Sequence, residues 1–171
     1  MNWYDRYIND KNTKVELIGE NYVGHFSRIR TACRAIIMDQ DSLLTSYETN
    51  TNQYMFPGGG IEINESDNEC VIREVEEETG YIIDSSKQIF EIDEYYGNEK
   101  FVTKYFFGTI KGKTSTKLTQ REKEVGMTPK WVQIDELYNI FSTYSQYEDI
   151  NEMRRGLYLR ELTAIKNVFN K

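Results

Sequence analysis

The stretch from Pro57 to Gly80 constrains the architecture of this chain more than any other. Pro57, followed by Gly58, Gly59 and Gly60, ends a short strand at Tyr54 to Phe56 and opens a loop whose backbone can approach another group closely. Ser66 with Glu69 three positions later matches a capping box and predicts a helix starting near Asp67. Gly80 stands where a C-cap glycine belongs. Between these signals Val71, Ile72, Val75 and Thr79 recur at helical spacing, which gives the helix a modest apolar stripe to bury. The rest of the chain must therefore pack around a loop, a helix and a second loop.

On either side the patterns alternate between strand and helix. Thr13 to Gly19 and Thr31 to Met38 read as strands, the second ending in an apolar run suited to burial on both faces. Asp39 to Ser42 turns the chain into Leu43 to Tyr47, a hairpin signal. Gln88 to Tyr96 and Lys100 to Lys111 read as strands joined at Gly97 and Asn98, and Trp131 to Ile134 as a further short strand. Asp135 opens a helix. From Glu152 to Phe169, the spacing of Tyr158, Leu162, Ile165 and Phe169 predicts an amphipathic helix on a core. Strands interleaved with helices imply an α/β or α+β sandwich. No proline-rich or Gly/Ser-rich linker and no repeat divides the 171 residues, so one domain over 1–171 is expected.

The predicted helix is chemically unusual. Seven acidic residues lie between Glu65 and Glu78, against Arg73 alone. Glu74, Glu77 and Glu78 stand at i, i+3 and i+4 and share one face, where each like-charge pair costs an isolated helix roughly 0.2 to 0.5 kcal/mol. Glu77 and Glu78 also fall in the last turn, where the helix dipole disfavours acids. Function is expected where local preference is overridden in this way. Carboxylates on one face beside a glycine loop suit a hard divalent cation such as Mg²⁺, although a solvated acidic face is the commoner origin of a charge run.

The net charge of −7 works against a chain whose main task is to grip a nucleic-acid backbone. Cys33 and Cys70 are too few for a disulfide framework. MNWYDRYIND lacks the pattern of a signal peptide and no apolar run reaches membrane-spanning length, so a cytoplasmic protein without membrane contact is expected. Trp3, Tyr4 and Tyr7 could cover the core or meet a second copy in a homodimer. His25, the only histidine, has no partner in the sequence pattern and reads as structural or exposed.

The acidic segment resembles the signature of the Nudix (MutT-like) hydrolases, Gx5Ex7REUxEExGU with U a bulky apolar residue. Gly59, Glu65, Arg73, Glu74, Val75, Glu77, Glu78 and Gly80 fill the fixed positions at the required spacing. Tyr81, at the last U, departs only by its hydroxyl. EVGMTPKWVQIDEL, with its Trp131 leading into a helix, is similar to a late strand of the family. The resemblance implies an α/β Nudix fold, an α/β/α sandwich with a mixed sheet. It also implies Mg²⁺- or Mn²⁺-dependent hydrolysis of a phosphoanhydride in a nucleoside diphosphate linked to another group, such as a nucleoside triphosphate or dinucleoside polyphosphate.

Carried over by position, Glu74, Glu77 and Glu78 are the implied metal ligands, with Glu77 and Glu78 in catalysis. Arg73 orients a glutamate through charge-assisted bonds and Glu65 supports the site from the far end of the helix. The backbone of Gly59 and Gly60 lines the substrate. The family draws its general base from the box or from a later loop, where Glu122 and Glu124 are the candidates. Arg34, which interrupts an apolar strand, is a candidate for holding a substrate phosphate or an arginine at a solvated strand end. Tyr95 or Tyr96 lies where diadenosine polyphosphate hydrolases carry a tyrosine, and Tyr96 is the candidate for stacking on a base. The proline associated with ADP-ribose hydrolases and the arginine-rich pattern of coenzyme A pyrophosphatases are both missing.

Residues 111–130 hold Lys111, Lys113, Lys117, Arg121, Lys123 and Lys130, a basic stretch that reads either as a flap drawing in anions or, preferably, as a long solvated connection. The expected partner is a small nucleotide diphosphate. Alternatives are a non-catalytic nucleotide-binding regulatory domain and an RNA 5′-end pyrophosphohydrolase that touches only terminal phosphates.

Overall fold

The computed structural model describes residues 14–85 and 87–171. Eleven strands and four α-helices follow one another among these residues. A central mixed sheet holds β1 (Lys14–Ile18), β8 (Gln88–Tyr96), β9 (Glu99–Phe107), β2 (Arg28–Ile36) and β6 (Gly58–Gly60), in that spatial order. The β1–β8 and β2–β9 pairs are parallel, whereas β8–β9 and β2–β6 are antiparallel. A second sheet places β4 (Ser42–Glu48) between β11 (Met127–Gln133) and β3 (Met38–Asp39), with β5 (Gln53–Met55) also on β4. A third, two-stranded sheet joins β7 (Tyr81–Asp84) to β10 (Thr109–Lys113).

Strand β2 separates two apolar layers because its side chains alternate. Cys33, Ala35 and the following Ile37 meet Cys70, Val71 and Val75 of helix α1 (Asp67–Thr79). Ile36 faces the opposite way, into a core with Phe90 and Ile92 of β8, Tyr105 and Phe107 of β9, and Tyr158, Leu162 and Ile165 of helix α4 (Glu152–Phe169). Each fully buried aliphatic side chain contributes roughly 1.5 to 3 kcal/mol of transfer free energy. The two layers therefore hold a helix against each face of the sheet, the α/β/α sandwich expected from the sequence.

Most predicted elements are present. The capping box closes as expected: Ser66 Oγ accepts from Glu69 N–H and the Glu69 carboxylate accepts from Ser66 N–H, while Gly80 ends α1 at φ 72°. The hairpin turns at Gln40 and Asp41, and α4 has the predicted limits.

Other boundaries need correction. Gly58 to Gly60 is not free loop but a short strand on the edge of β2, joined to Arg34, Cys33 and Ala32. The strand predicted over Thr31 to Met38 begins earlier, at Arg28, and its end is a separate piece, Met38–Asp39. The run from Lys100 to Lys111 divides at Gly108 into β9 and β10, which lie in different sheets. Gly108 permits the crossing, because a Cβ there would meet Ile37 Cγ1 at 2.8 Å. Strand β11 is longer than Trp131 to Ile134, and helix α3 (Ile134–Ser142) starts one residue early. The predicted first strand keeps Lys14–Ile18, its Thr13 lying outside the described residues together with Trp3, Tyr4 and Tyr7. No described helix is long and apolar enough to cross a membrane.

Candidate active site

Helix α1 brings the box carboxylates together around one guanidinium. Arg73 grips Glu65 with two bonds, Nε to Oε1 at 2.6 Å and Nη2 to Oε2 at 3.0 Å. Its Nη1 reaches Glu74 Oε1 at 2.8 Å and Glu77 Oε2 at 3.1 Å, and Nη2 also donates to the Gly60 carbonyl at 3.1 Å. A two-pronged Arg–carboxylate contact fixes direction as well as distance. Arg73 thus ties the loop before the helix to two carboxylates on its face. The Arg73 bond holds the Glu65 carboxyl below its ordinary range, and Glu65 in turn strengthens the charged form of Arg73.

Glu74 and Glu78 sit deeper. Burial raises the Glu74 carboxyl above its ordinary value despite Arg73. Glu78 is 5% exposed and its carboxyl is pushed up to about 7 by burial, with the nearby Glu74 charge adding to the effect. Ser46 Oγ donates to Glu78 Oε2 at 2.6 Å and Gly58 N–H donates to the same oxygen at 3.1 Å. Both bonds fall on Oε2.

The glycines explain the close approach. A Cβ on Gly59 would stand 2.5 Å from the Glu74 carboxylate, so a side chain at that position would displace it. Gly58 has φ 149°, and a Cβ on it would lie 2.1 Å from the Cys33 carbonyl oxygen. Gly60 contributes its carbonyl to Arg73, and its own Cβ position is open.

Among the described residues no three carboxylate, histidine or cysteine side chains converge into a ready cation site. Arg73 Nη1 bridges Glu74 and Glu77. The donor chemistry nevertheless suits a hard divalent ion: the half-buried Glu74 and the buried Glu78 are neighbouring carboxylates whose negative charge is disfavoured, and a cation would relieve that cost.

Of the other sequence candidates, Arg34 acts on Glu78 through its charge, which favours the ionised carboxylate, and Glu122 acts on Glu74. Arg34 is neither at a solvated strand end nor presented to solvent. Its side chain is 12% exposed, with Nη1 donating to the Phe56 carbonyl at 2.6 Å and Nε 3.9 Å from Glu161 Oε1. The Tyr96 hydroxyl donates to Glu94 at 3.4 Å, and burial first and Glu94 second push it up to about 12. Glu124 accepts from Gln120 within the short helix α2 (Gln120–Glu124). In the same helix the Glu122 carboxylate accepts from the N–H of the N-cap Thr119, and its charge is felt at Glu74. His25 is exposed.

The basic stretch is structured rather than a free connection, since β10, α2 and β11 take up much of it. Lys117 pairs with Glu76 at 2.9 Å, Arg121 with Glu48 at 3.4 Å, and Lys130 donates to the Tyr54 hydroxyl at 2.7 Å. Lys113 lies over the Tyr81 ring at 5.1 Å.

Two residues were missed in the sequence: Ser46, which touches Glu78, and Glu161, which holds the Phe56 amide. Ser46 gives no local signal. Glu161 does: it falls between Tyr158 and Leu162 on the stripe of α4 that faces the core, where a carboxylate is out of place.

A model described as NUDIX domain matches residues 28–152. Among solved structures, a NUDIX hydrolase from Nitrosomonas europaea is 18% identical, with a TM-score of 0.54, over 82% of this chain and 93% of its own. A MutT NUDIX hydrolase from Burkholderia pseudomallei is 19% identical, with a TM-score of 0.52, over 63% and 84% of the two chains. A UDP-X diphosphatase is 16% identical, with a TM-score of 0.52, over 66% of this chain and 54% of its own. At these identities the likenesses concern the fold alone. No curated protein matches the chain.

Proposed function

The chain belongs to the NUDIX domain family and is a hydrolase of pyrophosphate bonds, and from that premise we propose that it cleaves a phosphoanhydride in a nucleoside diphosphate linked to another group. Mg²⁺ or Mn²⁺ is the cofactor of this reading, held by Glu74, Glu77 and Glu78. A nucleoside triphosphate, a dinucleoside polyphosphate or a similar small anion is the substrate. The reading includes a single domain acting in the cytoplasm.

The observation that carries it is the use of Arg73. One guanidinium orders Glu65, Glu74 and Glu77 against the edge of a glycine strand that leaves room for the Glu74 carboxylate. A solvated acidic helix has no need of such an arrangement. When bound, a divalent cation there neutralises the diphosphate and acidifies the attacking water. The chain's own residues set up that chemistry. Arg73 keeps two carboxylates turned to one side, Glu65 holds Arg73 in plane, and Gly59 keeps the approach free of side-chain bulk. Proton removal from water falls to the box or to α2, where Glu122 is the carboxylate felt at Glu74. Retention of every acidic position of the box favours an enzyme over a regulatory binding domain.

The test is hydrolysis of nucleoside triphosphates, dinucleoside polyphosphates, nucleotide sugars, ADP-ribose and 5′-triphosphorylated RNA, with and without Mg²⁺. Turnover is expected only with metal and should fall at least 100-fold in Glu77→Gln and Glu78→Gln, in the range seen when a catalytic electrostatic group is removed. Nucleotide binding without turnover on any of these would overturn the catalytic reading.

A further inference from the structure

A group of buried charges lies between the central sheet and α4, outside the acidic face of α1. Glu161 is fully buried in the middle of α4. Its Oε2 accepts from the Phe56 amide at 3.2 Å. Its Oε1 accepts from the Tyr105 hydroxyl at 3.3 Å and from Arg160 Nη2 at 2.9 Å and Nε at 3.1 Å. Arg160 also approaches Glu94 at 3.6 Å. From the other side, Arg34 Nη1 donates to the Phe56 carbonyl at 2.6 Å. Both polar groups of residue 56 are therefore held by charged side chains, the partly buried Arg34 from β2 and the buried Glu161 from α4.

Isolated charges at such depth are strongly disfavoured unless paired, and pairing alone seldom offsets the whole cost. An apolar residue at 161 would continue the stripe of Tyr158, Leu162 and Ile165, so packing does not explain the glutamate. Its contact with Phe56 does have a consequence two residues later. Phe56 leads through Pro57, whose carbonyl accepts from Ala35 N–H at 2.9 Å, to Gly58, whose N–H donates to Glu78 Oε2 at 3.1 Å. Gly58 is also wedged against the Cys33 carbonyl, so the segment has little freedom to compensate if Phe56 moves. A displacement at Phe56 is carried to the hydrogen bond that orients Glu78.

We propose that Glu161 is a positioning residue, which with Arg34 clamps the Phe56 peptide so that the Gly58 amide holds one oxygen of Glu78 and leaves the other for the cation. The proposal rests on the assignment of Glu78 as a metal ligand. It also gives Arg34 a different part from direct contact with substrate phosphate.

The test measures Mn²⁺ binding by electron paramagnetic resonance, together with kcat and KM, for the wild-type protein, Glu78→Gln, Glu161→Met, Glu161→Gln, Arg34→Met and Tyr105→Phe. Circular dichroism confirms folding. Glu161→Met should weaken Mn²⁺ binding about tenfold and lower kcat by a similar factor, with KM little changed. Glu161→Gln keeps an acceptor for the Phe56 amide and should recover to within about threefold of wild type. Arg34→Met should weaken Mn²⁺ binding like Glu161→Met, and it carries the test should Glu161→Met not fold. A raised KM with intact Mn²⁺ binding would instead make Arg34 a substrate contact and overturn the clamp.

Tyr105→Phe removes a buried hydrogen bond to Glu161 but not the clamp, and it should bind Mn²⁺ as wild type does. An equal loss in Tyr105→Phe would reduce the effect to general destabilisation and overturn the proposal. Wild-type Mn²⁺ affinity in the folded clamp variants, with Glu78→Gln impaired, would overturn the clamp alone. A Glu78→Gln protein that binds Mn²⁺ as wild type does would overturn the ligand assignment beneath it.

Discussion

Gly58 and Gly59 are adjacent, yet their replacement by alanine should fail in different ways. At Gly58 the new Cβ meets backbone, the Cys33 carbonyl, at a φ that alanine rarely adopts. Gly58→Ala should therefore lower stability by about 3 kcal/mol or more, measured by urea denaturation. At Gly59 the obstacle is the end of the Glu74 side chain, which can swing away. Gly59→Ala should keep its melting temperature within about 2 °C of wild type and lose at least tenfold in kcat, since the cost is a misplaced carboxylate.

The sequence made part of this legible. The spacing of the box names Glu65, Arg73, Glu74, Glu77 and Glu78 because they all lie on one helix or its entry loop, where separation along the chain determines separation in space. Ser46 reaches Glu78 from 32 positions away and Glu161 reaches Phe56 from 105, distances over which local pattern carries no information. Arg34 was visible as an oddity in an apolar strand, but its partner, a backbone carbonyl, has no sequence signature.

At the scale of elements, β8 places two neighbouring acids in opposite situations. Asp93 is buried, which raises its carboxyl, but Lys100 and Lys14 at 2.7 and 2.6 Å prevail and hold it below its ordinary value. Glu94 is raised, chiefly by burial, although Arg160 and Arg34 oppose the shift; Glu161 adds to it and the Tyr96 hydroxyl lies beside it. The signs follow. The Asp93 contribution is present above its unfolded value of 3.8 and lost as pH falls below it. Glu94 favours the fold in its protonated form, so its contribution is full below 4.5 and lost as pH rises through its higher folded value. In thermal melts from pH 3 to pH 8, Asp93→Asn should flatten the acid limb, and Glu94→Gln should flatten the decline above pH 4.5. An unchanged neutral limb in Glu94→Gln would contradict the burial of its charge.

Helices were easier to read than edges at this scale. Capping residues and a 3.6-residue stripe announced α1 and α4, whereas β6 is made of glycine and acquires its strand character only from pairing with β2. Helix α2 did carry a capping signature, Thr119 with Glu122, but its few residues bury nothing and so left no stripe to notice.

Seven of the 28 acidic residues of the molecule lie between Glu65 and Glu78, where a bound cation would offset their repulsion. A metal that binds the folded form alone raises stability by RT ln(1 + [L]/Kd), about 2.7 kcal/mol at a hundredfold excess over Kd. Adding Mg²⁺ to EDTA-treated protein should therefore raise the melting temperature by several degrees. The rise should shrink in a Glu74→Gln, Glu78→Gln double variant, and an equal rise in that variant would place the ion elsewhere. The sandwich itself was anticipated from alternating strands and helices, while the division into three sheets was not, because it depends on the break at Gly108 and on pairings between strands far apart in sequence.

Helix α4 holds the Phe56 amide across a separation of 105 positions. During synthesis the acidic box leaves the ribosome well before Glu161 does, so α1 and β6 can pack on β2 before the Phe56 amide finds its partner on α4. Contacts of such long range slow folding because the loop must close before they reward it. On the clamp proposed above, the Gly58 amide is set against Glu78 only after α4 has docked.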